Sequence, residues 1–283
     1  MKTWFITGAN GGLASSMIEI LLERGDRVAA TVRNPQALDK LQKKYGSSLW
    51  QANLDLTDSH SIKQIINKAI ENLETIDVLV NNAGYGLFGA VEEASDEQID
   101  HLFQTNFFGS LRVARAFMPY FRSQRQGYIV QISSMVGHLS NPGQGLYSAS
   151  KWAVEGAFET LAKEAAPFNI KVTLVEPDGI RTGFFSHNGK FGQELEAYND
   201  QPARDFKRFY QNIHVQNGLG NIIGDPQKMA KVIIQHVDDG NKTLRLTLGS
   251  DAYQEIKNAL ILRLTELEAQ KDLAYSTDFK EFL

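Results

Sequence analysis

Thr3-Trp4-Phe5-Ile6-Thr7-Gly8-Ala9-Asn10-Gly11-Gly12-Leu13-Ala14 is the stretch on which the fold turns. A short apolar strand runs straight into a glycine-rich turn, and Gly12 opens a helix-like stretch to Arg24. Gly8 and Gly12 let the backbone turn tightly and approach a pyrophosphate. Amides at the start of the next helix then face the negative charge. Gly8, Asn10, Gly11, Gly12 and Leu13 are the residues such a ligand would touch. The spacing is Gly-x-x-x-Gly-x-Ala, and Ala14 adds only a methyl where close helix–strand packing asks for a small residue. A plain strand-to-helix turn would read the same locally, so the rest of the chain has to decide.

Outward from this turn, apolar runs alternate with longer amphipathic segments. Arg27–Val32, Leu49–Leu54, Asp77–Val80, Tyr128–Ile132, Lys171–Val175 and Leu244–Leu248 read as further strands. Pro35–Lys44, a segment capped by Asp58 or Ser59, Asp96–Arg122, Leu146–Ala166, Pro226–His236 and about Asp251–Leu273 read as helices. Strands buried on both faces appear as continuous apolar runs. With right-handed crossovers, this alternation predicts an α/β fold: a doubly wound, seven-stranded parallel sheet flanked by helices. One domain over 1–283 is expected. Residues 178–225 are too many for an ordinary connection. They form a lid or a small subdomain, and a lid is preferred, with short helices near Glu194–Tyr198 and Ala203–Asn212. Residues 250–283 form a C-terminal helical extension.

Composition removes several function classes. The 283 residues include no cysteine, which excludes disulfides and thiolate metal sites. His60, His101, His138, His187, His214 and His236 form no His-Glu-x-x-His pair, and no metal is expected. A net charge of −4 without a basic run argues against nucleic acid. No apolar stretch approaches the length of a membrane span, and the first strand begins too early for a signal peptide. A soluble, cytoplasmic protein is expected.

Val32 ends the second strand where an acid would hold the adenosine ribose of NAD, and Arg33 and Asn34 follow. Absence of that acid removes repulsion of a 2′-phosphate, and Arg33 offers it a planar donor, which favours NADP. A solvated surface arginine is the alternative. Asp55, with Leu56 beside it, could accept from the adenine amino group or serve as a turn aspartate. Asn82, Ala83 and Gly84 follow the fourth strand, where small residues let the backbone lie against a ribose. Tyr147-Ser148-Ala149-Ser150-Lys151 places a phenol and an ammonium one helical turn apart. The ammonium is expected to pull the phenol down from about 10 towards neutrality, making it a proton donor and acceptor.

Thr7-Gly-x-x-x-Gly-x-Ala14, Asn81-Asn-Ala-Gly84, Ser134, Tyr147-x-x-x-Lys151 and Pro177 to Thr182 occur in that order. On these motifs, residues 3 to 250 resemble a single-domain short-chain dehydrogenase/reductase with a Rossmann-type fold. The resemblance implies Tyr147 as general acid and base, with Lys151 lowering its pKa and binding the nicotinamide ribose. It implies Ser134 as the hydrogen-bond donor to the substrate oxygen, and Asn106 as the holder of a water near Lys151. Pro177, the Ile180 amide and the Thr182 hydroxyl would contact the nicotinamide carboxamide and a phosphate. Asp178 departs from the glycine usual after that proline.

The implied function is NADP(H)-dependent interconversion of a ketone or aldehyde and an alcohol. The rival reading is a non-catalytic NADP-binding sensor or scaffold. Phe184, Phe185, Phe191, Tyr198, Phe206, Phe209 and Tyr210 would line an apolar substrate pocket or hold the lid to the body. Arg204, Lys207 and Arg208 would form a solvated helix face or an anion site. A homodimer or homotetramer is expected through the 96–122 and 146–166 helices, with Ala153, Phe158 and Leu161 on their outer faces.

Overall fold

A computed structural model describes residues 1–184, 189–215, 222–240 and 243–279, with 211–215 described by backbone alone. The strands in chain order are β1 (Thr3–Thr7), β2 (Arg27–Val32), β3 (Leu49–Asn53), β4 (Val78–Asn81), β5 (Gly86–Phe88), β6 (Gly127–Ile132), β7 (Ile170–Pro177), β8 (Gly189–Phe191) and β9 (Arg245–Leu248). Seven of them form one parallel sheet in the order β3-β2-β1-β4-β6-β7-β9. Chain direction across the sheet reverses between β1 and β4, and ligands bind such sheets in the crevice outside that point. Ile6 lies level with both Ala30 and Val80, so the turn after β1 and the loop after β4 leave the sheet side by side.

The helices that matter here are α1 (Gly12–Glu23), α2 (Asp39–Tyr45), α3 (Ser59–Leu73), α4 (Asp96–Phe103), α5 (Ser110–Gln124) and α6 (Gly145–Ala165). α1 buries Leu13, Met17, Ile18 and Leu21, one stripe at helical spacing. With the Pro226–Asp238 helix it covers one sheet face, against Trp4, Ile6, Val28, Val80 and Val130. On the other face Val113, Phe117, Val154 and Phe158 pack on Phe5, Leu79 and Ile129. Phe5 and Phe117 meet edge to face with centroids 5.1 Å apart. Asp58, not Ser59, caps α3, accepting from the amides of His60 and Ser61.

Four features differ from the sequence reading. The helix expected over Asp96–Arg122 is divided into α4, a π-helical turn at Gln104–Gly109, and α5. Gly109 is crowded there: a Cβ on it would lie 2.6 Å from the Cβ of Leu56. A second, two-stranded parallel sheet pairs β5 with β8 and ties the 178–225 segment to the loop after β4. That segment also contains a short turn at Glu196–Tyr198 and a helix at Pro202–Val215, close to the two helices expected. Phe158 and Leu161 point into the core and not outward; Trp152 is the large apolar residue that α6 exposes. The C-terminal extension breaks into Ser250–Glu268 and Lys271–Tyr275. No helix among the described residues is long and apolar enough to cross a membrane.

Candidate active site

A crevice of ≈ 1100 Å³ opens at the carboxyl ends of the central strands. Its floor is the glycine turn. Gly8 has φ +64°, and a Cβ on it would come within 2.8 Å of the Ala83 Cα. The side chain of Asn82 donates to the carbonyls of Thr7 (3.1 Å) and Gly8 (3.0 Å). Thr7 Oγ1 in turn accepts from the amides of Asn82 and Ala83. These bonds fix the two loops together. At Gly12 a Cβ would fall 2.4 Å from the Thr182 Cγ2, so the residue closing the far side of the crevice packs on the start of α1. No side chain among the described residues caps α1. A backbone-lined floor beneath an uncapped 12-residue helix fits the diphosphate of a dinucleotide.

Tyr147, Ser134 and Lys151 meet on the opposite wall. Tyr147 and Lys151 share one face of α6, and Lys151 Nζ lies 5.7 Å from the Tyr147 ring centroid. Ser134 lies close enough to Tyr147 to favour its ionised form. The ammonium of Lys151 is buried and donates to the Ile132 carbonyl at 3.0 Å. The electrostatics run against the sequence expectation for the phenol. Burial pushes Tyr147 up to about 12, and the Ser134 hydrogen bond only partly opposes it. Burial likewise lowers Lys151 to about 8, opposed by the charge of Glu155 one turn further on. Desolvation therefore outweighs attraction at both groups.

Residues 2–191 match the family model described as short chain dehydrogenase. The chain belongs to this family. Along the sequence it is 34% identical over 254 residues to the oxidoreductase BOA17 of Botryotinia fuckeliana, covering 89% of this chain and 90% of the relative. It is 37% identical over 245 residues to a 3-ketodihydrosphingosine reductase of Bacteroides thetaiotaomicron, covering 86% of each. In structure it resembles a short-chain dehydrogenase from Streptomyces avermitilis, with TM-score 0.88, 35% identity, and coverage of 98% and 100%. This short-chain dehydrogenase is thus an NAD(P)-dependent oxidoreductase by family.

Most of the residues singled out in the sequence line the dehydrogenase's crevice: Gly8, Asn10, Gly11, Gly12, Leu13, Arg33, Asp55, Leu56, Asn82, Ala83, Gly84, Ser134, Tyr147, Lys151, Pro177, Ile180 and Thr182. Arg33 is exposed at the rim, and no carboxylate pairs with it among the described residues. Asn34 lies apart from them: its side chain caps the short turn Pro35–Leu38 and it does not line the crevice. Asp55 Oδ1 accepts from the amide and hydroxyl of Thr57, the turn-aspartate arrangement, and these bonds hold its carboxyl below the usual range. Asn106 sits in the π turn. Its side chain donates to the Tyr85 carbonyl and the Ser150 hydroxyl and accepts from the Tyr85 amide. Both of its donors are thus occupied by protein, and it braces the loop that carries Gly84.

Sequence reasoning missed Thr7 and Phe88. Phe88 is the hub of the aromatic wall, 5.8 Å from Tyr147 and 4.6 Å from Phe206, centroid to centroid. Phe184 flanks Tyr147 at 5.9 Å. Phe191, Phe206 and Phe209 line the same space. Tyr198 and Tyr210 hold the 178–225 segment in place, through Glu92 and through Gly189 and Phe184; Phe185 and His187 lie outside the described residues. Arg204 is neither solvated nor an anion site. It is buried and paired at 2.5 Å with Glu93, which also accepts from the amides of Ala90 and Leu195. Lys207 pairs with Glu194 and Arg208 with Asp205. Behind Lys151, Arg245 bridges the buried carboxylates of Glu155 (3.2 Å) and Glu176 (3.3 Å), and His138 meets Glu176 at 2.8 Å.

Proposed function

We propose that this enzyme is an NADP(H)-dependent carbonyl reductase acting on a bulky, largely apolar ketone or aldehyde. One observation carries the reading: Tyr147, with Ser134 and Lys151 lining the same crevice beside it, stands between the glycine turn and an aromatic wall. The dinucleotide, when bound, supplies the hydride. Its diphosphate would be held by the amides of Gly12 and Leu13, over a turn that the Gly11 amide closes on the Gly8 carbonyl, its adenosine end by Asp55 and Leu56, and its ribose by Ala83, Gly84 and Lys151. Ile180 and Thr182 would take the nicotinamide end. Ser134 and Tyr147 direct two hydroxyls at the substrate oxygen, where negative charge develops, and Tyr147 gives it a proton. Asn106 acts one step back by holding Tyr85 and Gly84 in place. A scaffold would be expected to have lost the tyrosine, lysine or serine, whereas this crevice keeps all three.

Arg33 supports NADP over NAD, since its guanidinium forms no ion pair among the described residues and lies at the crevice rim where a 2′-phosphate would lie. Arg33→Ala should weaken NADPH binding about tenfold and leave NADH binding unchanged. Fluorescence titration of both cofactors checks this, and equal losses would remove Arg33 from the specificity. Substrate size is supported by the aromatic wall of Phe88, Phe184, Phe191, Phe206 and Phe209, and by the lipid-like substrate in the name of the Bacteroides relative. Absorbance at 340 nm with NADPH should show kcat/KM at least about tenfold higher for long-chain or polycyclic ketones than for small polar ones. A preference for small polar ketones would refute this substrate class.

The 178–225 segment acts as a substrate lid over this single-domain enzyme, anchored by β5–β8 and by the buried Glu93–Arg204 pair. We also read the protein as a homodimer or homotetramer. The exposed Leu260, Ile261, Leu264 and Leu267 of the C-terminal helix support self-association; a monomeric mass by light scattering would rule it out.

A further inference from the structure

Asp178 is the least explained group in the crevice. It follows Pro177 at the end of β7, where its backbone amide donates to Leu248. Its side chain is 8% exposed, and neither carboxylate oxygen has a hydrogen-bond partner among the described residues. Two glycines make room for it. A Cβ on Gly249 would lie 2.2 Å from Asp178 Oδ2, and one on Gly224 would lie 2.7 Å from Oδ1. The charged groups around it do not compensate it. Asp251, at the start of the C-terminal helix, repels it, and the Arg181 guanidinium is turned to the Ile222 carbonyl. A buried carboxylate without a partner is costly, and such groups in a cleft mark functional positions.

Its position in the crevice is defined by its neighbours. The 177–182 loop runs from β7, whose Val175 carbonyl accepts from the Ser133 amide, to Thr182, which packs on Gly12. Asp178 is thus at the Ser134–Tyr147 end of that loop, and Thr182 at the diphosphate end. The ring that exchanges hydride with a carbonyl at Tyr147 must dock at the Asp178 end. This rests on the dinucleotide reading given above.

We propose that Asp178 sets a fixed negative charge beside the nicotinamide subsite, so that the enzyme favours the oxidised, cationic form of the dinucleotide over the reduced form. The carboxylate is enclosed and acts through space in a poorly solvated region, where a charge is weakly screened. A positive ring relieves the carboxylate's isolation and the neutral ring does not. The same charge favours the direction in which the ring becomes cationic, which is carbonyl reduction. Asp178 is a positioning residue for charge; it takes no part in proton transfer.

The test is a pair of dissociation constants, for NADP⁺ and for NADPH, measured separately by fluorescence or calorimetry. The measurement is made at about pH 8, above the value of about 6 to which burial and Asp251 push the carboxyl. In Asp178→Asn the ratio Kd(NADP⁺)/Kd(NADPH) should rise roughly tenfold over wild type, with most of the change in the NADP⁺ constant. Asp178→Gly removes both the charge and the crowding against Gly249, so it should fold at least as well and shift the ratio alike. An unchanged ratio, or equal changes in both constants, would show that Asp178 is only structural and overturn the proposal. Wild-type protein that binds neither form would overturn the dinucleotide reading, and this inference with it.

Discussion

Tyr147→Phe should lower kcat/KM for ketone reduction about a thousandfold while dinucleotide affinity stays within about a factor of three. The substitution removes one oxygen and leaves the ring that packs against Phe88 and Phe184. The fold and the glycine turn are untouched, so a titration with NADPH separates lost chemistry from lost binding. A variant that kept a tenth of the activity would show that the proton comes from elsewhere. The half-buried, poorly solvated phenol adds a directional expectation. With its pKa pushed up to about 12, Tyr147 carries its proton across the whole neutral range. At pH 7 the phenolate is only about one part in 10⁵. Reduction needs the protonated form, so this group imposes no pH dependence on it near neutrality. Alcohol oxidation needs the phenolate, and its rate should climb with pH, by about tenfold per unit where Tyr147 alone limits it.

The fold was open to sequence reading because it is written in strong local signals. The β1 run, its glycine turn and the alternation of apolar strands with amphipathic helices all describe elements buried by the same sheet. Tyr147 and Lys151 were legible because helical spacing alone brings them to one face. What escaped depends on contacts between distant segments. β5 and β8 are three residues each, too short for any periodicity, and they pair across about a hundred residues. Phe88 becomes the hub of the aromatic wall only through that pairing. Asn34 follows Arg33 at the end of β2, but its side chain accepts from the Gln36 amide and caps the next turn. The π turn at Asn106 is one further case, since an inserted residue leaves no mark on a continuous amphipathic pattern. The phenol's pKa was misread for a related reason. Spacing shows that an ammonium is near, but not how thoroughly both groups are dehydrated.

Lys151→Met should reduce kcat/KM for reduction about a hundredfold or more and weaken dinucleotide binding as well, unlike the tyrosine change. Methionine keeps the length and apolar stem of the side chain but removes the charge, so packing within α6 is largely preserved. The charge has two roles in the proposed mechanism. It favours the negative charge that develops on the Tyr147 and substrate oxygens as the proton moves, and it donates to the ribose in the crevice. The wild-type pH profile distinguishes this from a structural role. Burial lowers the ammonium to about 8, so the free enzyme holds it charged below that pH and loses the charge as pH rises through it. For reduction, kcat/KM should therefore be level from above about pH 6, where Asp178 is charged, to about pH 8 and fall above it, and the falling limb should be absent in Lys151→Met. Glu155→Gln offers an independent check, because the Glu155 carboxylate opposes the lowering of Lys151. Its removal should move the falling limb to lower pH, whereas damage confined to the Arg245 network would lower activity without displacing the limb. A wild-type profile that stays flat to pH 10, or a limb that persists without the lysine, would remove Lys151 as the titrating group.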